Sequence, residues 1–96
     1  MREKELYQQK MQAKLDEWKA EAEKLRAKAA GADADAKLEA NRKAEELDRK
    51  VETGNQRLAE IREAGEDTWE SVKARVDAAW DTLTSEVREL AGKIGR

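Results

Sequence analysis

The chain has 96 residues, 44% of them charged and 39% hydrophobic, with no Cys, His, Phe or Pro. Its 20 basic and 22 acidic residues are intermixed and give a net charge of −2; no basic face stands out, so no nucleic-acid partner is expected. Without Cys there is no disulfide scaffold, and without His or Cys the usual proton shuttle and thiolate nucleophile of an enzyme are missing.

What remains is a single domain over residues 1–96, biased towards Ala, Glu, Lys, Leu and Arg, the composition of coiled coil or long helix. Large apolar side chains are sparse, so a monomer would bury a thin core, and self-association is the remedy open to it. The N-terminal MREKELYQQK is charged and lacks the apolar run of a signal peptide or a membrane span. A cytoplasmic setting is therefore expected.

The first element is a long helix over about residues 3–64. Its apolar positions step by four and three through Met11, Leu15, Trp18, Ala22, Leu25, Ala29, Ala32 and Ala36, the a/d seam of a coiled coil. The seam resumes at Ala40, Ala44, Leu47 and Val51, passes Gly54, and ends at Leu58 and Ile61. Two successive four-residue steps at Ala36, Ala40 and Ala44 read as a stutter. Leu38 lies off the seam, where it could face a second partner. Glu39–Lys43, Glu45–Arg49 and Glu46–Lys50 have the i,i+4 spacing that supports a helix where the seam is weakest.

Within this element AKAAGADADA (residues 27–36) admits an alternative. Gly31 could stand just past a helix end with Asp33 capping the next helix. GAD at 31–33 and GED at 65–67 lie 34 residues apart, and breaks at both would make a three-helix bundle. Against this, Gly inside a helix costs only about 1 kcal/mol relative to Ala, which the flanking alanines could absorb.

The reversal is placed at REAGEDTWESVK, residues 62–73. Gly65 is expected in the left-handed conformation past a helix end. Glu66 follows in the corner, and Asp67 with Glu70 has the spacing of a capping box and puts negative charge at the start of the next helix.

The second helix, over about 67–93, carries the clearest amphipathic face: Trp69, Val72, Val76, Trp80, Leu83, Val87, Leu90 and Ile94. The expected fold is thus all-α, an antiparallel helical hairpin or coiled coil. The long helix would extend about 90 Å and the short one about 40 Å at 1.5 Å per residue. The uncovered remainder of the longer seam calls for a second chain. The packing or interaction face is Leu15, Trp18, Leu25, Leu47, Val51, Leu58, Ile61, Trp69, Val72, Val76, Trp80, Leu83, Val87 and Leu90.

Chemistry is harder to place. Asp33 and Asp35 resemble the start of a calcium loop, but the turn Gly and the distal Glu are not at the required positions. No phosphate-binding Gly loop occurs, and a helical di-metal site would need Glu-x-x-His. No catalytic, metal or cofactor-binding residue is expected, and no cofactor. Trp18, Trp69 and Trp80 read as core anchors. A lipid or granule surface under the Trp/Val/Leu face of the last helix is the sharper alternative.

The runs KLDEWKAEAEKLRAKA, ADADAKLE and AGEDTWESVKARVDAAWDTL resemble a family of short bacterial coiled-coil proteins catalogued as stress-response proteins. The similarity spans almost the whole chain and is most specific in the two-Trp C-terminal block. It implies a non-enzymatic structural or interaction role in a stress setting, as a homo-oligomer or with a protein partner on a helix face. A hydration-type protectant, disordered when dilute, is the remaining alternative.

Overall fold

In a computed structural model, which describes residues 3–94, the chain forms three α-helices: α1 Glu3–Ala30, α2 Ala34–Glu63 and α3 Trp69–Ile94. The described residues are all-α, as expected, but the single helix over 3–64 is not what forms. It breaks at residues 31–33, so the alternative turn near Gly31 is the one present.

The break has a local cause. Gly31 N and Ala32 N donate to Lys28 O and Ala29 O, each at 3.2 Å, tightening and ending the last turn of α1. Asp33 is extended (φ −70°, ψ 172°) and its carboxylate accepts from Ala36 N at 2.9 Å, satisfying one of the free amides at the new N-terminus. Gly31 does not use a positive φ, and an added Cβ there would meet nothing within 4 Å.

Two opposite effects follow. Asp33→Ala should cost about 1 kcal/mol by loss of the cap. Gly31→Ala should leave stability unchanged or raise it by about 0.4–1 kcal/mol, because it restricts the unfolded chain without strain. Urea unfolding of the two variants reads both.

The larger cause is packing. Folding at Gly31 lays Met11, Leu15, Trp18, Ala22, Leu25 and Ala29 of α1 against Ala44, Leu47, Val51, Leu58 and Ile61 of α2, and all are buried. A continuous helix would leave both stripes in water, at about 1.5–3 kcal/mol for each large side chain. Ala32 and Ala36, whose spacing continues the seam across the break, are exposed, and Ala40 is half-buried. The apparent stutter is therefore a corner.

The second corner runs from Ala64 to Thr68. It falls where expected, but its residues play other parts. Gly65 is not left-handed; Ala64 ends α2 in an extended conformation (φ −67°, ψ 130°) with its N–H donating to Ile61 O. Thr68 rather than Asp67 starts α3. Its carbonyl accepts from Val72 N at 3.1 Å, and its hydroxyl accepts from Gly65 N at 3.0 Å and donates to Gly65 O at 3.2 Å. Asp67 folds back over Gly65, where an added Cβ would lie 3.0 Å from Oδ1, and Glu66 is exposed. Glu70 does lie in the first turn of α3, near the positive end of its dipole.

Cross-links fix the order of the bundle. Lys4 Nζ donates to Arg62 O and Ala64 O, placing a cation at the negative end of α2. Arg26 pairs with Asp48, so α1 and α2 are antiparallel. Lys50 pairs with Glu86 across to α3 rather than with Glu46, and Arg75 lies 4.0 Å from Glu60, so α2 and α3 are antiparallel too. Glu3 pairs with Lys73, and α1 and α3 run parallel. Exposed pairs of this kind choose register and orientation more than they add stability. Glu39–Lys43 forms as expected, at 3.6 Å.

The helices have 28, 30 and 26 residues, so the mismatch between a 90 Å rod and a 40 Å partner, which called for a second chain, does not arise. Every residue of the expected packing face joins one core, Val72 and Trp80 from its half-buried margin. Among the described residues, Leu6 and Leu38 are the large apolar side chains left exposed. The side chain of Ile94 lies outside the described residues.

Candidate functional site

The three helices do not close evenly. α2 packs closely on both neighbours, whereas α1 and α3 are bridged mainly by large rings. Trp18 and Trp80 stack with centroids 5.3 Å apart and planes inclined by 23°. Tyr7 meets Trp69 edge-on at 5.7 Å and 79°. Such pairs contribute roughly 0.5–1.5 kcal/mol beyond the area they bury, and they hold the two backbones apart.

Gly54 of α2 lies behind this contact. A Cβ there would stand 2.4 Å from Leu15 Cδ2 and 3.3 Å from Trp80 Cζ3. The bare backbone therefore lets α1 and α3 seat their side chains directly on α2.

The spacing leaves a groove between α1 and α3, made of two open cavities in line. The first, of about 440 Å³, has Tyr7, Met11, Ala13 and Trp80 around it. The second, of about 540 Å³, is framed by Trp18, Ala20, Thr84, Val87 and Ala91. Lys14 and Glu17 border both. Ala13, Ala20 and Ala91 give the walls little bulk, so the groove floor is apolar and its lips are charged.

One titratable group sits inside. The Tyr7 hydroxyl donates to Asp77 Oδ1. Its pKa is pushed above the ordinary tyrosine value, first by burial, then by the hydrogen bond to Asp77 and by the negative charge of Asp77 and Asp81. The neutral phenol is thus favoured by the folded state. The stability it contributes is whole below about pH 10 and is lost as pH rises beyond that value.

Tyr7 is the sole tyrosine, so tyrosinate absorbance reports it alone. Its onset should lie above pH 10 in buffer, return to about 10 in denaturant, and fall in Asp77→Asn. An onset near 10 in the folded protein would deny the contact. Elsewhere, Lys73 is raised by its hydrogen bond to Glu3, and Arg26 by its hydrogen bond to Asp48; both are surface pairs.

Among the described residues no group of three or more His, Cys, Asp or Glu side chains could hold a metal ion. No helix there is long and apolar enough to cross a membrane. The three tryptophans anchor the core, Trp18 and Trp69 at 6% and 9% exposure, while Trp80 keeps one edge open to the groove.

Sequence reasoning located the buried stripes but missed the groove and Tyr7. The tyrosine had a signal: it stands one four-residue step before Met11 on the same seam. The groove had none, since it depends on how far the Trp pair props α1 from α3. No family model, no curated protein and no solved structure matches the chain.

Proposed function

We propose that this chain is a non-enzymatic helical interaction module, cytoplasmic, that receives another helical surface in the α1/α3 groove. The observation that carries this reading is the disposition of apolar surface. The seams of α1 and α2 and the main face of α3 are covered within the chain, whereas the groove keeps apolar walls and a Trp edge facing solvent. Self-association through the N-terminal seam would require the core to open; the groove offers a surface without that cost. A bacterial stress setting rests on the resemblance of the KLDEWKAEAEKLRAKA and AGEDTWESVKARVDAAWDTL blocks, and fits a structural role of this kind.

Amide NMR spectra test it as concentration is raised. The expected result is a set of shifts confined to the groove, at Ala13, Glu17, Ala20, Thr84 and Ala91, with helicity unchanged. A spectrum unaffected by concentration and by candidate partners would contradict the reading.

A lipid surface is the second reading, and the half-buried Trp80 on the Trp/Val/Leu face of α3 favours it. Shifts spread over the whole bundle with a blue-shifted Trp emission on adding anionic vesicles would support it. A weakly helical circular dichroism spectrum in plain buffer would instead favour the disordered protectant.

A further inference from the structure

We propose that the α1/α3 groove is a dimer interface for a second copy of this chain, with the two bundles parallel and each α1 lying against the other copy's α3. The proposal rests on reading the groove as an interaction surface and adds its occupant and the arrangement.

The order of charge along the two lips carries it. Down α1, Lys10 and Lys14 are followed by Glu17 and Glu21; down α3, Asp77 and Asp81 are followed by Arg88. The levels correspond. Lys10 and Asp77 border the first cavity and not the second, Glu21 and Arg88 the second and not the first, and Lys14 and Glu17 lie between them, on both. Each lip is therefore the charge complement of the other, level by level.

Within one chain that complementarity is not used in ion pairs, and Asp77 instead accepts from the Tyr7 hydroxyl. Among the described residues no ion pair crosses the groove between them. Lys14 pairs with Glu17 of its own helix at 3.4 Å, and Glu21 with Lys24 at 3.7 Å.

Because α1 and α3 run parallel, a two-fold axis along the bundle keeps every level and exchanges the lips. Lys10 and Lys14 then meet the other copy's Asp77 and Asp81, and Glu17 and Glu21 meet its Arg88. The interface is self-complementary, as a two-fold contact must be. An antiparallel copy would match Lys10 and Lys14 with Glu21 and Glu17 of the other α1, but would bring Arg88 opposite the basic Lys73–Arg75 end of the other α3.

Shape agrees. Leu6, Ala13, Ala20 and Ala27 recur every seven residues along the exposed side of α1, so a second helix can approach closely. Leu6, 45% exposed, extends the apolar strip beyond the groove. The molecule measures 54 × 20 × 17 Å, and a face of that length and width can supply the roughly 800 Å² per partner of a specific interface.

Sedimentation equilibrium of the intact chain, from micromolar to millimolar concentration, is the test. The mass should climb from 10.9 kDa towards twice that value. K10E/K14E replaces two attractive levels with repulsive ones and should weaken the dimer by about tenfold or more. Adding Asp81→Lys to that variant should restore it towards wild type.

All the substituted side chains are exposed, and circular dichroism with thermal melting verifies the fold of each variant. A wild-type chain that stays monomeric at millimolar concentration overturns the dimer, while the amide spectra separately decide whether the groove takes a different partner. Dimerisation unaffected by K10E/K14E places self-association on another face and also overturns it. Rescue by E17K/E21K instead of by Asp81→Lys means an antiparallel pair and overturns the arrangement.

Discussion

Truncating Leu15 to alanine should destabilise the bundle by about 2–5 kcal/mol. Leu15 has 0% exposure and lies where all three helices meet, with its Cδ2 against the backbone of Gly54 and with Trp80 and Leu83 bordering the same spot. A cavity there cannot collapse easily, because α1 and α3 are held off each other by the Trp18–Trp80 stack. Small helical domains have little stability to spare, of the order of 5–15 kcal/mol. The melting temperature should drop by roughly 10–40 °C. A thermal scan showing a shift of only a degree or two would mean that Leu15 is not at the centre of a three-helix core.

Gly54→Val should be destabilising as well, by about 1–3 kcal/mol, although valine is the better helix former by a few tenths of a kcal/mol. The added Cβ alone would come within 2.4 Å of Leu15 Cδ2. Leu15 is fully enclosed and has no solvent to move into, so the helices must part. The two substitutions are coupled through the same space. Gly54→Val combined with Leu15→Ala should be more stable than the sum of the single losses by about 1–2 kcal/mol, since the valine occupies part of the vacated volume. Strict additivity in urea unfolding would show that the two positions do not touch.

Periodicity made most of the core legible. The steps of four and three that pick out Leu15, Trp18, Leu25, Leu47, Val51, Leu58 and Ile61 are a direct consequence of 3.6 residues per turn, and they hold whatever the helix packs on. What those steps do not carry is the identity of the partner surface. Ala32 and Ala36 continue the spacing across the first corner, yet both are exposed; alanine is small enough to be comfortable on either side. Local terms at Gly31 are small, about 1 kcal/mol against glycine inside a helix and about 1 kcal/mol for the Asp33 cap, and both favour the break. The outcome is decided by burial of two whole stripes, which is a long-range effect.

The second corner shows the same division at smaller scale. Its place was legible from Gly65 and the acids after it. The hydrogen bonds between Thr68 and Gly65 were not, because spacing does not say which of two adjacent polar residues will stand at the helix start, or that its hydroxyl will turn back to the corner. The groove was least legible of all. Lys10, Lys14, Glu17 and Glu21 look like any solvated helix face until α3 is set beside them with Asp77, Asp81 and Arg88 at matching heights.

Small-angle scattering extrapolated to zero concentration tests the three-helix fold most directly, because extrapolation removes any dimer. A chain folded back at both corners should give a radius of gyration close to 15.7 Å and a longest dimension near 54 Å. A rod of about 90 Å, the length of an unbroken helix over residues 3–64, would contradict the corner at Gly31 and with it the core and the groove that depend on that fold.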